Sequence, residues 1–319
     1  MKGGRLIIAG ATLLLTVDAA THATAFQARA QSPSSDQPQT TFRSGVDLVR
    51  IAAVVRDRKG RFIEDLAARD FEILDNGRPR SITDFRRDIA GVSIALLFDV
   101  SGSMEGHLED ARETARHVLS WLESRDEAAA FTFDTRLDEA VPFTAGLKAL
   151  PESMVLVPFG ATSLHDAIAA TARRVGAREG RRRAVVVLTD GADNWSHLTP
   201  DRVAAIASGI DVPVYILGVV PSIDNPAADT ATNSVERSAL AGPLADLAGA
   251  TGGHVFVVST PAQRSMAARQ IVDELRHQYL IAFESSGEPG WHPLVVRARQ
   301  KDFVVRARNG YMAGHPVGL

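Results

Sequence analysis

The chain contains no cysteine. No disulfide braces it, no thiolate is available to a metal, and no lipid-modified cysteine follows a leader segment. Stability therefore has to come from apolar cores. A dominant charge of one sign is also missing, since 35 basic and 38 acidic residues leave a formal charge of -3. That balance gives no general reason to expect nucleic acid or an anionic membrane as a partner. The one dense basic stretch (Arg173, Arg174, Arg178, Arg181, Arg182 and Arg183) has no aromatic residues interleaved for base stacking. It reads as a solvated helix end and turn before a buried strand. There is no H-E-x-x-H, no Ser-His-Asp order and no internal repeat of fixed period, so neither proteolysis nor a solenoid has support.

What is present begins with an address. Lys2 and Arg5 precede an apolar run over 6–17, and small residues follow. Ala28-Arg29-Ala30 and Ala23-Thr24-Ala25 each offer an A-x-A cleavage site, so residues 1–30 read as a signal peptide cut after Ala30 or Ala25. The run is short and interrupted by Gly10 and Thr12, which disfavours retention as an anchor and a membrane span after cleavage. The expected location is outside the cytoplasm, periplasmic or extracellular. Residues 31–42 are polar and read as a flexible linker.

Residues 43–89 form an N-terminal β segment, with strands at 46–57, 71–74 and 82–85. Asp75-Asn76-Gly77 is a hairpin signal from which 82–85 is expected to return. From residue 91 to 260 the rhythm alternates. Continuous apolar strands at 92–98 and 184–188, and others at 128–133, 212–219 and 254–258, are separated by helices at 108–122, 163–175, 200–208 and 235–250. Fully apolar strands suit a sheet covered on both faces. The alternation predicts an α/β domain with an open, doubly wound, mostly parallel sheet. Residues 261–319 read as a helix over 262–278 followed by strands at 279–283, 294–298 and 303–307. These flanking strands are expected to pair with those of 45–88 in one small β-sandwich, with the α/β domain inserted between its halves. Two separate β modules, or strands extending the main sheet, are the alternatives.

In such a sheet, ligands gather at the carboxyl ends of the strands. Three segments put oxygen-bearing side chains there: Asp99-Val100-Ser101-Gly102-Ser103, Gly160-Ala161-Thr162 and Thr189-Asp190-Gly191. Two carboxylates and three hydroxyls, without His or Cys, suit a hard divalent cation such as Mg²⁺. Their charge of about -2 balances the ion, and a ligand set short of protein groups leaves a position open to an incoming carboxylate.

The segments DVSGS (99–103), GATSLHDAI (160–168) and VVVLTDGADN (185–194) together resemble the metal-ion-dependent adhesion site of von Willebrand factor type A domains. The resemblance covers roughly 91–260. It implies that Ser101, Ser103 and Thr162 ligate Mg²⁺ or Mn²⁺, that Asp99 and Asp190 act directly or through water, and that an acidic residue of a partner supplies the last ligand. The flanks 57–77, 274–283 and 306–313 are similar to bacterial exported proteins described as von Willebrand factor A-related, which implies no activity. The expectation is a non-enzymatic adhesion module that binds a protein, or a polysaccharide, through a carboxylate.

The alternatives are specific. Ser101 and Ser103 can cap the following helix while Asp99 and Asp190 serve turns. A structural envelope protein with a non-functional cation site is compatible with the same residues. An aspartyl phosphatase of the haloacid dehalogenase type wants a second acid two residues after its nucleophile, where Ser101 stands. Asp166, Asp193 and Asn194 read as supporting groups around the site, and Trp195 as a partner contact or a packed aromatic. Asp134 is expected to orient a loop. His165 and His197 read as hydrogen-bonded side chains, Glu109 and Asp110 as exposed helix acids, and Tyr279 and Tyr311 as residues of the β region.

Overall fold

The Val- and Ile-rich stretch after residue 45 becomes β1 (Leu48–Asp57), whose alternate residues Val49, Ile51, Ala53 and Val55 are buried in one core. The computed structural model describes residues 48–87, 91–178, 180–220, 240 and 242–314. The expected signal peptide and linker lie outside them, as do residues 235–239 of an expected helix.

Strand β2 (Phe71–Asp75) turns directly into β3 (Arg78–Arg80), with Asp75 paired to Arg78. The two loop residues, Asn76 (φ 50°) and Gly77 (φ 74°), are both left-handed, the conformation Asn-Gly tolerates best. The hairpin signal was therefore right and its return strand was not. The short β3 returns, and β4 (Ile82–Arg86) crosses to another sheet. After the central region come β11 (Gln278–Glu284), β12 (Gly290–Ala298), β13 (Phe303–Arg306) and β14 (Gly310–Ala313). They interleave with the N-terminal strands in two four-stranded sheets, ordered β13-β1-β11-β4 and β14-β12-β2-β3. Both sheets feed one core, in which Phe71, Tyr279, Phe283 and Tyr311 pack on Ile51, Ile73 and Ile281. One sandwich built from both flanks is the outcome, because neither flank alone holds enough apolar surface for a core.

Between the halves runs a six-stranded sheet of β5 (Val92–Asp99), β6 (Glu127–Phe133), β7 (Leu137–Ala145), β8 (Arg182–Thr189), β9 (Val214–Val219) and β10 (Val255–Val258). Its order is β10-β9-β8-β5-β6-β7, parallel except for β7. The edge strand β7 was not legible in the sequence. Mostly exposed and carrying Pro142, it shows neither an apolar run nor a clean alternation.

Helices cover both faces: α1 (Leu108–Trp121), α2 (Leu164–Gly176), α3 (Pro200–Gly209), α4 (Pro243–Ala250) and α5 (Pro261–Arg276). β5 is buried throughout and serves both sides. Ile94, Leu96 and Phe98 pack with α1 and α5, while Ala95 and Leu97 pack with α2, α3 and α4. The α5 residues Ala268, Ile271, Val272 and Leu275 belong to this core, so the helix packs with the α/β layer rather than with the strands that follow it. Its buried Glu274 bridges to the sandwich, 2.8 Å from Arg56 of β1 and against Arg306 of β13. No helix among the described residues is long and apolar enough to cross a membrane.

Candidate metal site

Strand order reverses between β5 and β8, the kind of switch point at whose carboxyl ends open α/β sheets gather ligands. Phe98 pairs with Leu188 in register, so the next residues, Asp99 and Thr189, leave the sheet side by side. Asp99 is fully buried. Its Oδ1 accepts the Ser101 N–H at 2.9 Å and its Oδ2 accepts the Thr189 hydroxyl at 2.6 Å. The Thr189 Oγ1 in turn accepts the Gly191 N–H at 3.0 Å. Gly191 has φ 96°, which lets the chain turn away immediately after Asp190.

Burial raises the Asp99 carboxyl to about 6, against the hydrogen bonds from Ser101 and Thr189 and with a smaller push from the Asp190 charge. Asp190 is 3% exposed; its Oδ1 accepts the Ala192 N–H at 3.0 Å, and its Oδ2 is buried without a hydrogen-bond partner among the described residues. Ser101 is buried and Ser103 exposed, with their hydroxyls 3.2 Å apart. Neither serine side chain caps a helix: the three-residue 3-10 turn after Ser101 and α1 both start without a side-chain cap bond.

The Thr162 loop is stitched to its neighbours on both sides. Gly102 N–H donates to Gly160 O at 3.1 Å and Phe159 N–H to Val100 O at 2.8 Å, tying it to the first loop. Thr162 N–H donates to Asn194 Oδ1 at 2.9 Å, while Thr162 O accepts the Asn194 and Trp195 N–H groups at 3.1 and 3.0 Å. Thr162 itself is buried. The fold thus brings the three segments that carry Asp99, Ser101, Ser103, Thr162 and Asp190 to one pole.

Asp193 and Asp166 tie these loops to their neighbours. Asp193 Oδ1 accepts the Leu164 N–H at 3.0 Å and the Ser196 hydroxyl at 2.7 Å, and its Oδ2 lies 2.6 Å from His165 Nδ1. Asp166 holds the other end, accepting from His197 N–H at 3.0 Å and Leu198 N–H at 2.9 Å, with His197 Nδ1 also 3.0 Å away. These contacts hold both carboxyls below the usual range in spite of desolvation. Asp134 orients its loop, with Oδ1 accepting the Arg136 N–H at 2.8 Å and its carbonyl the Ser163 N–H at 2.8 Å. Trp195 stands 59% exposed beside the pole rather than packed inward. Sequence reasoning missed Phe159, 75% exposed next to the same loop, and the bridging roles of Thr189 and Ser196. A threonine before Asp-Gly at a strand end is a readable signal for the first of these; nothing in the spacing singles out Ser196.

Comparison with known proteins bears on the family of the chain. The chain matches the von Willebrand factor type A domain family over residues 93–273. It is 27% identical over 141 residues to an uncharacterized protein of Borreliella burgdorferi, a match covering 41% of each chain, so it spans about two fifths of the length of that curated relative. Among solved structures it is similar to an aerotolerance-related membrane protein from Bacteroides fragilis (21% identity, 58% of this chain and 98% of that one, TM-score 0.44). It is also similar to a von Willebrand factor type A protein from Catenulispora acidiphila (13% identity, 85% and 76% covered, TM-score 0.45). With more than half of its length matched, the chain belongs to the von Willebrand factor type A domain family, whose domains generally serve as protein-interaction and adhesion modules.

Proposed function

We propose that this pole holds one divalent cation, Mg²⁺ or Mn²⁺, and that the protein uses it to bind an acidic group of a protein partner, or of a polysaccharide, without chemical turnover. The observation that carries this reading is the pair of buried carboxylates. Among the described residues neither Asp99 nor Asp190 has an ion-pair partner, and Asp190 Oδ2 has no hydrogen-bond partner either. Buried negative charge without a counter-charge is costly, and a cation set against it removes that cost.

The donor set fits the ion. No three His, Cys, Asp or Glu side chains among the described residues gather into a metal cluster. Two carboxylates are instead supplemented by the hydroxyls of Ser101, Ser103 and Thr162, hard and mostly neutral donors that suit Mg²⁺ or Mn²⁺ rather than Zn²⁺. When bound, the ion supplies electrostatic attraction for an oxygen ligand arriving from outside. The chain's own residues do the rest: Thr189 and the Ser101 N–H orient Asp99, Asn194 fixes the Thr162 loop, and Ser103 stands at the exposed mouth. Trp195 offers an aromatic anchor on the rim. His165 and His197 are tied to Asp193 and Asp166, so neither is placed as a base beside a nucleophile, which favours binding over catalysis. The leader at 1–30 sends the module to the periplasm or the cell exterior.

The test is a thermal melt with Mg²⁺ and with EDTA. Mg²⁺ raises the melting temperature of the parent, and Thr162→Ala abolishes that response while remaining folded. A Thr162→Ala variant that responds like the parent sinks the assignment.

A further inference from the structure

Five large apolar side chains among the described residues are more than 60% exposed, and three of them fall within one short run: Val155 (73%), Val157 (63%) and Phe159 (75%). The run leads through Gly160 into the loop that carries Thr162, and the exposed Trp195 joins it there, its N–H donating to Thr162 O. Single exposed apolar residues are ordinary on a surface; a cluster beside a binding loop marks an interaction site.

The run has the side-chain rhythm of a β-strand. Met154 and Leu156 pack into the core shared with α1, while Val155, Val157 and Phe159 face outward. Both ends are pinned. Arg112 donates to Met154 O at 2.6 Å and to Pro151 O at 3.0 Å, and the Phe159 N–H donates to Val100 O at 2.8 Å. What the run lacks is a neighbouring strand. Among the described residues, no backbone N–H or C=O of Val155, Leu156 or Val157 makes a hydrogen bond, and none of the three belongs to a sheet. Pro158, without an N–H to give, closes the stretch. The result is an extended edge, held in place, with open donors and acceptors, which a strand from another chain can complete.

These features choose between the two partner classes that suit the cation pole. A polysaccharide presents hydroxyl groups, for which the branched alkyl groups of Val155 and Val157 offer no hydrogen-bond partner. An extended peptide offers an N–H and a C=O to the edge, and apolar side chains at alternate positions to the three exposed groups. Charge complementarity fixes one end of that peptide, because a cation beside Thr162 calls for a carboxylate.

We propose that residues 154–159 are a docking edge for an extended apolar segment of a protein partner, which adds to it as a strand and carries the acidic residue that reaches the pole. The acidic residue rests on the cation reading of that pole; the strand edge does not.

The experiment selects displayed peptides, each a short randomised stretch followed by a fixed aspartate, against the full chain in Mg²⁺. Selected sequences should carry Val, Ile or aromatic residues at alternate positions. N-methylation of a selected peptide at alternate residues of one parity removes the N–H groups that face the edge and should weaken binding at least about tenfold; methylation at the other parity should not. The double variant Val155→Ser/Val157→Ser leaves the buried Met154 and Leu156 untouched. It should keep the parental melting temperature and Mg²⁺ shift and bind the peptide at least about tenfold more weakly. If changing the peptide's Asp to Asn and adding EDTA are both silent while the double variant still weakens binding, the pole reading fails and the edge stands. A selection that yields no binder or no alternate apolar preference overturns the edge, as does a peptide bound equally by parent and double variant. Self-association of the parent that the double variant abolishes would assign the edge to a second copy of the chain and overturn the proposal as well.

Discussion

Replacing Asp99 by Asn separates the cost of the buried charge from its use. In EDTA above pH 6 the parent carries a desolvated carboxylate whose folded value, about 6, stands above its unfolded value of about 4. A folded value raised in this way means the native state holds its proton more tightly than the unfolded state, so stability falls as pH rises through that window. At about pH 8 the difference of roughly two units corresponds to about 3 kcal/mol of lost stability. Asn removes the charge and keeps an oxygen for the Ser101 N–H, but its amide presents a donor to Thr189 where the carboxylate presented an acceptor. Losing that bond costs about 1 kcal/mol. The variant should therefore be more stable than the parent in EDTA by about 1–2 kcal/mol, or about 3–6 °C in melting temperature for a domain of this size. Free Mg²⁺ at about a thousandfold above its Kd stabilises the parent by about 4 kcal/mol and the variant scarcely at all, so the order reverses. Differential scanning fluorimetry across about pH 4 to 8, with EDTA and with Mg²⁺, reads both arms. The advantage of Asn in EDTA should vanish below about pH 4, where the parent is protonated too. A variant less stable than the parent in EDTA at about pH 8 refutes the desolvation argument. Equal Mg²⁺ stabilisation of both proteins refutes the metal assignment.

Three further outcomes follow from the same contacts. Glu274→Leu leaves Arg56 and Arg306 facing the junction of helix and sandwich without their carboxylate, and should cost about 3–5 kcal/mol by urea denaturation. A neutral result would mean that the arginines find water. Gly253→Ala places a Cβ 1.9 Å from Val214 O, a backbone atom that cannot step aside; a loss of about 3 kcal/mol or more is expected, and a loss under about 1 kcal/mol would show that the β9–β10 edge yields. Trp195→Ala, on an exposed side chain at the rim, should leave the Mg²⁺ melting shift intact while weakening partner capture in a pull-down at least about tenfold. Unchanged capture would assign Trp195 no part in recognition.

Much of the α/β architecture was legible because its signals are local. β5 is apolar from Ile94 to Phe98 because both faces are covered, and the Asp-Gly after Thr189 marks a strand end as plainly as the Asn-Gly after Asp75 marks a hairpin. The five residues proposed as ligands were singled out for the same reason, each lying at or beside a strand-to-loop or loop-to-helix junction. Hidden features depend on partners distant in the chain. β7 is an exposed edge defined only by its pairing with β6. β4 leaves its hairpin because β11, about two hundred residues later, offers a better sheet. The arginines read as solvated are in part clamps on carbonyls and on Glu127, which no spacing along the chain could reveal.

The sequence by itself determined the period of each central strand and helix, the hairpin at Asn76-Gly77, and the oxygen-rich composition of three loops. Those properties follow from side-chain type and short-range backbone preference. Tertiary structure alone decided that both flanks share one sandwich, that α5 packs with the α/β layer, and that Asp190 Oδ2 is buried without a partner among the described residues. It also decided that Val155, Val157 and Phe159 stand exposed beside the Thr162 loop. The physical reason is common to all four. Burial, desolvation and field strength depend on which surfaces meet, and that depends on sheet pairing between segments far apart in the chain.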